Sequence, residues 1–426
     1  MRAYINKAVG LAKSQSARDT YVLFGGNIVS AFLGFLFTLI IARGLSVGDF
    51  GVFSAVNNLV TIISSVADIG ISAGLVSFVA SFTAKGDKEN AWRYLKASLV
   101  ARLVVVSLLS LALLAFAPIV AKRLLASSDI NMVYWSVVLS FGLMFWGYFP
   151  SALQAYKRFV ASISVDISLG IIRVLAVGSF FFAGALTLST SFISFTLGTI
   201  MAVVSGLIFL GVSFLIIDTP GEVYSKLLRF SGWVGVNRIV SAISGRIDLQ
   251  MLAVFMGAEV VGQYSIAQRL ALFVTVLISS FSVVLATRLA AFDDREKEKG
   301  YVIKSTLATL LIVIGVIVWI IIARPFISLL FGVKYLPAVP IFQAFAASMV
   351  PFILATTPVT AIIYSMKKPI YIGYFSFFQL AAIFLLNLLL IPKIGPYGPL
   401  VAFFVVGLVL AIFSWTIVYN YYWSKK

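Results

Sequence analysis

The chain has 426 residues, 61% of them hydrophobic and only 11% charged, and its mean hydropathy is +1.08. A soluble chain of this length has too little interior to hide so much apolar surface, so the composition excludes a soluble globular protein and leaves a lipid bilayer as the solvent. The formal charge of +17 would suggest nucleic acid in a soluble protein. Here the cations cluster in alternate loops between apolar runs, the pattern that orients membrane proteins.

Taken in chain order, the apolar runs predict about twelve spans, each near the ~20 residues that cross a hydrocarbon core. The first six run over 20–42, 50–81, 97–118, 131–155, 161–183 and 189–217. The second six run over 227–255, 260–287, 301–323, 337–364, 370–391 and 399–422. Runs of this length are too long for barrel strands, so the expected fold class is an all-α integral membrane protein. Residues 2–18 set Ile5, Ala8, Val9 and Ala12 at helical spacing among cations, which predicts an interfacial helix ahead of the first span. The last turns, Tyr419, Tyr421, Tyr422 and Trp423 before Lys425 and Lys426, read as an aromatic belt with a basic stop.

Every second connection is basic. Twenty-one Lys and Arg fall in one set of loops and termini, and six in the other. Both termini are therefore expected on the cytoplasmic side of the membrane. The chain has no cysteine and no histidine. That removes disulfides, thiol nucleophiles, the commonest general base and the commonest metal ligand. No connection exceeds about twenty residues, which leaves no room for an extramembrane catalytic domain. The reading is of a protein that is not an enzyme, with no metal, no cofactor and no nucleic-acid partner.

The halves echo one another at an offset near 210. Asp49-Phe50-Gly51-Val52-Phe53-Ser54 follows the first span, and Val260-Val261-Gly262-Gln263-Tyr264-Ser265 follows the seventh. Ala117-Pro118 closes the third span and Arg324-Pro325 the ninth. Six spans per half keep the halves in one orientation, so two parallel lobes are expected, 1–218 and 219–426, around a central cavity with the substrate site between them.

Charged residues inside the spans point to that site. Arg102, Arg173, Arg238, Arg246 and Arg269, with Asp68, Asp166 and Asp248, all fall within apolar runs. A charge at the bilayer centre costs about 2.5–3.5 kcal/mol on insertion scales, so such groups face one another or a wet cavity. Counting 1.5 Å per residue, Arg173 lies ~19 Å and Arg238 ~16 Å from the cytoplasmic side, and Arg269 ~15 Å from the outer side. Three arginines at mid-depth suit a diphosphate, because guanidinium stays charged and pairs bidentately with phosphate oxygens. Arg246 joins them as a candidate nearer the outer end. Arg102 lies ~9 Å from the inner end and can snorkel. The other reading of the arginines is a set of ties to the three aspartates that join helices. On one unbroken helix Arg246 and Asp248 stand about 160° apart, so both face one cavity only if the helix breaks at Gly245. Asp68, Asp166 and Asp248 are the carboxylates available for ion coupling. Asn27, Asn57, Asn58, Gln154 and Asn237 either line the cavity or bond between helices.

A resemblance covers most of the chain. Ala42-Arg43-Gly44-Leu45-Ser46-Val47-Gly48-Asp49-Phe50-Gly51-Val52-Phe53-Ser54 resembles the first external turn of the Wzx-type polysaccharide flippases of the multidrug/oligosaccharidyl-lipid/polysaccharide exporter superfamily. Asp68-Ile69-Gly70, Gly257 to Ser265, Leu330-Phe331-Gly332-Val333-Lys334-Tyr335 and Asn387 to Gly398 resemble further family motifs, in order and at the right span ends. The family usually has small residues where Pro396 and Pro399 flank Tyr397-Gly398. The resemblance implies alternating access of two six-helix lobes in a monomer. It also implies a lipid-diphosphate-linked glycan as cargo, membrane lipid as partner, and a proton or sodium ion as the coupling candidate. The alternative is a cation-coupled multidrug exporter of the same superfamily, against which stands the absence of a carboxylate in 20–42.

Overall fold

The computed structural model describes residues 15–292 and 294–424, with backbone alone at 15–17, 233, 234, 237, 238 and 241. The interfacial helix expected over 2–18 lies almost wholly outside the described residues, as do Lys425 and Lys426.

Fifteen helices carry the described chain: α1 Gln15–Gly44, α2 Val47–Asp68, α3 Ile71–Ala84, α4 Lys88–Ala115, α5 Asn131–Ala155, α6 Phe159–Phe182, α7 Leu188–Leu210 and α8 Gly221–Ser244. They continue as α9 Ile247–Met256, α10 Ala258–Leu289, α11 Arg295–Ile321, α12 Ala323–Phe331, α13 Ala338–Thr360, α14 Ile370–Ile394 and α15 Tyr397–Tyr422. Eleven of the described helices are long and apolar enough to cross a bilayer. The protein is a multi-pass membrane protein.

Two expected spans are broken rather than continuous. The run 50–81 divides between α2 and α3, where Ile69 and Gly70 take φ of 37° and 70°. The run 227–255 divides between α8 and α9, and neither half passes as a span by itself. Gly245 weakens the helix there, while Arg229, Arg238, Arg246 and Asp248 lower its hydropathy. Twelve apolar runs thus become eleven spanning helices and one interrupted passage, the form in which transporters open backbone toward a site.

The side-chain pattern is that of a bundle in lipid. On α11, Leu307, Leu311, Ile314, Val318 and Ile321 form a stripe at helical spacing, from 51% to 71% exposed. Ser305 and Thr309 lie buried on the other side, and their hydroxyls donate to their own helix at Tyr301 O (2.8 Å) and Thr306 O (2.7 Å). Small hydroxyl residues inside and large apolar ones outside is the arrangement expected when lipid, not water, is the solvent.

The helices sort into two compact units. The first holds residues up to 46, 56–121 and 128–242; the second holds 47–55, 122–127 and 243–426. These are packing units, and their division differs from the repeat boundary at 218/219. In the first unit α6 packs on both α1 and α7, α5 packs on α7, and α3 packs on α4. In the second, α13 is central and packs on α10, α11 and α15, while α14 packs on α15. The second unit includes a close helix crossing. A Cβ on Gly51 would lie 1.7 Å from the Ala258 carbonyl oxygen, and one on Gly262 would lie 2.2 Å from that of Val47. These glycines occupy equivalent places in the two echoed motifs.

Candidate functional site

The first unit holds Asp68, Asp166 and Arg173. Asp68 ends α2 where the chain turns. Its Oδ1 accepts from Ser72 N (3.0 Å) and Ser72 Oγ (2.8 Å), so the carboxylate caps α3. Gly70 supplies the left-handed turn and sits so close to Gly235 N (2.8 Å from a would-be Cβ) that a side chain has no room. This explains the Asp68-Ile69-Gly70 motif physically. The Nη2 of Arg102, from α4, donates to Asp68 Oδ1 and Ser72 Oγ, each at 2.5 Å. Its guanidinium also stands 5.9 Å from the Tyr148 ring centre. Arg102 is therefore held inside the unit rather than snorkelling.

Asp166, on α6, accepts from the indole Nε1 of Trp146 on α5 at 2.8 Å. Arg173 lies two turns further along α6. Its guanidinium is clamped by the rings of Phe37 on α1 and Phe195 on α7, at 5.0 and 5.8 Å. Gly34 makes the room, since a Cβ there would meet Arg173 Nη2 at 2.9 Å. The two ring faces fix the orientation of the guanidinium.

The second unit holds Arg246, Asp248 and Arg269. The helix breaks at Gly245–Arg246, the condition under which Arg246 and Asp248 face the same way. Asp248 then opens α9: its Oδ1 accepts from Leu249 N (2.8 Å) and its Oδ2 from Tyr264 Oη on α10 (2.6 Å). Arg246 lies within electrostatic reach of both Asp248 and Arg269. Two guanidiniums and one carboxylate thus lie within electrostatic reach near the break. Arg238 lies on α8, but its side chain, like that of Asn237, is outside the described ones. Among the described residues no group of three or more His, Cys, Asp or Glu could hold a metal ion.

Sequence reasoning missed Trp146, Tyr264, Phe37 and Phe195. Two of them had a signal. Trp146 and Asp166 lie ten residues either side of Tyr156, at the α5–α6 turn, and Asp248 and Tyr264 lie eight either side of Met256, at the α9–α10 turn. In a helical hairpin such residues stand at one level.

A family model described as "Polysaccharide biosynthesis protein" matches residues 16–286. The chain belongs to this family. It is 23% identical over 284 residues to the "Uncharacterized membrane protein EpsK" of Bacillus subtilis (strain 168), a match over 64% of this chain. The match spans 56% of that relative's length. Among solved structures, it superposes on a lipid II flippase, MurJ, in an inward closed conformation, with TM-score 0.74, 16% identity, and 94% and 87% of the two chains covered. An inward-facing multidrug resistance MATE transporter of the MOP superfamily superposes with TM-score 0.72 at 14% identity, covering 91% and 93%. At these identities the likeness is one of fold alone, shared with that flippase and that transporter.

Proposed function

We propose that the protein is a flippase that moves a polyprenyl-diphosphate-linked oligosaccharide from the cytoplasmic to the outer leaflet by alternating access, for cell-surface glycan assembly. The observation that carries this reading is the family match over residues 16–286, beside which Arg246 and Arg269 lie within electrostatic reach of one another near the break in the seventh passage. Asp248 stands beside Arg246, and a diphosphate presents further oxygens that both guanidiniums can bind. Arg173, and Arg238 by its place on α8, are the further cations assigned to the cargo. Family membership supports the link to polysaccharide synthesis.

For ion coupling, the local partners rank the carboxylates. Asp68 is held by a buried guanidinium, so protonating it strands Arg102. Asp166 accepts from the neutral indole of Trp146, and Asp248 accepts from Tyr264 and Leu249 N with Arg246 nearby, so neither carries the short guanidinium bond that holds Asp68. They are the proposed coupling residues, with a proton or sodium ion as the coupling ion.

Replacing Arg269, Arg246 or Arg173 with Ala tests the reading. Each variant is expected to fold and melt like the parent yet lose translocation of the glycolipid in proteoliposomes by at least tenfold. Lysine keeps the charge and loses the planar fork, so partial activity is expected. Alanine variants that unfold, and regain stability when Asp248 is also neutralised, would assign Arg246 and Arg269 to holding helices together.

A further inference from the structure

The first unit contains a cavity of about 360 Å³ at the break between α2 and α3. Ligand cavities run from about 300 to 1,000 Å³, so this one has room for a saccharide unit. Its charge is balanced, because Asp68 and Arg102 pair within its wall. A diphosphate has no reason to enter.

The rest of the lining is four hydroxyl residues, Trp146 and the apolar Leu143, Met144, Gly147 and Ala242. Thr61, Ser64, Ser65 and Ser72 present hydroxyls to the space. Thr61 Oγ1 donates to Asn57 O (2.6 Å) and Ser65 Oγ to Thr61 O (2.8 Å). With their protons committed to the backbone, these oxygens offer lone pairs to a donor in the cavity. Trp146 supplies the apolar surface, and its Nε1 bond to Asp166 fixes the ring. A sugar ring matches such a wall: its hydroxyls donate and its C–H face lies on an indole.

We infer that this cavity is a subsite for a neutral saccharide unit of the cargo, with Trp146 as the stacking surface and the Thr61 and Ser65 hydroxyls as acceptors. The inference rests on the flippase reading and adds to it a place, separate from Arg246 and Arg269, where the glycan is recognised. Gly147 also lines the space, and a Cβ built there meets nothing within 4 Å. Gly147→Leu therefore adds bulk at the cavity wall from a Cβ that meets no neighbour.

The test measures binding of purified protein to polyprenyl diphosphate, either bare or carrying one glucose, galactose, N-acetylglucosamine or N-acetylgalactosamine. At least one sugar-bearing lipid is expected to bind the parent about tenfold more tightly than the bare lipid. Gly147→Leu should erase that increment and leave bare-lipid affinity and melting temperature unchanged. If Gly147→Leu does not fold, Thr61→Val, which removes one lining hydroxyl at nearly constant volume, carries the same comparison. An increment that survives in a folded cavity variant, or no increment for any sugar, would overturn the subsite while the flippase reading stands. Failure of the parent to bind even the bare lipid would defeat both.

Discussion

At the scale of single residues, the buried charges divide by their partners. Arg102 is 3% exposed, and its Nη2 donates to both Asp68 and Ser72. Removing one member of such a pair leaves the other charged and buried, at about 3–5 kcal/mol. Arg102→Leu is therefore expected to lower unfolding stability in detergent by that amount. Adding Asp68→Asn, which keeps an oxygen to cap α3, should recover most of it. Equal stability of the two variants would show that the pair is not what holds this corner. The sequence made the intramembrane charges plain but not this pairing, because Asp68 and Arg102 sit on different helices with no hairpin register between them. The clamp on Arg173 was illegible for the same reason: Phe37 lies far away in sequence and meets Arg173 only through the packing of α1 on α6. The hairpin pairs, Trp146 with Asp166 and Tyr264 with Asp248, were within reach of a reading that counts outward from each turn.

Among elements, the glycines separate close crossings from open space. Gly51 and Gly262 let α2 and α10 touch backbone to backbone within the second unit, whereas a Cβ on Gly25 of α1 meets nothing within 4 Å. Gly51→Ala forces a helix shift and is expected to cost about 1–3 kcal/mol, the range for overpacking. Gly25→Ala should be neutral or slightly stabilising, since glycine is a poor helix former. Thermal unfolding of the two variants side by side checks this, and equal melting temperatures would contradict the crossing. Span positions were legible because apolar run length is read directly from sequence. The break at Gly245 was legible as a geometric condition on Arg246 and Asp248. The break at Ile69-Gly70 was hidden within one uninterrupted apolar run, where hydropathy has no term for a left-handed residue.

For the whole molecule, the positive-inside pattern makes a prediction about sidedness. The native chain has no cysteine, so single cysteines report without background. Those at the exposed positions Ser46, Ser189 and Lys393 are expected to react with an impermeant thiol reagent added outside intact cells, and those at Lys88, Asp294 and Lys368 are not. Reversed labelling at two or more positions would invert the orientation. Fold class and family were readable from composition and from motifs placed at span ends. The proposed cargo is further from the sequence, because residues far apart in the chain have to meet before a site for it can be argued.

The central claim is that the protein carries a lipid diphosphate bearing a glycan across the bilayer. Its most direct measurement is leaflet exchange of a fluorescent polyprenyl-diphosphate oligosaccharide in liposomes containing the purified protein. The account predicts exchange with the parent chain, and exchange at the level of protein-free liposomes with the Arg246→Ala/Arg269→Ala double variant. Unmoved glycolipid, together with transport of a cationic dye driven by a proton or sodium gradient, would contradict it.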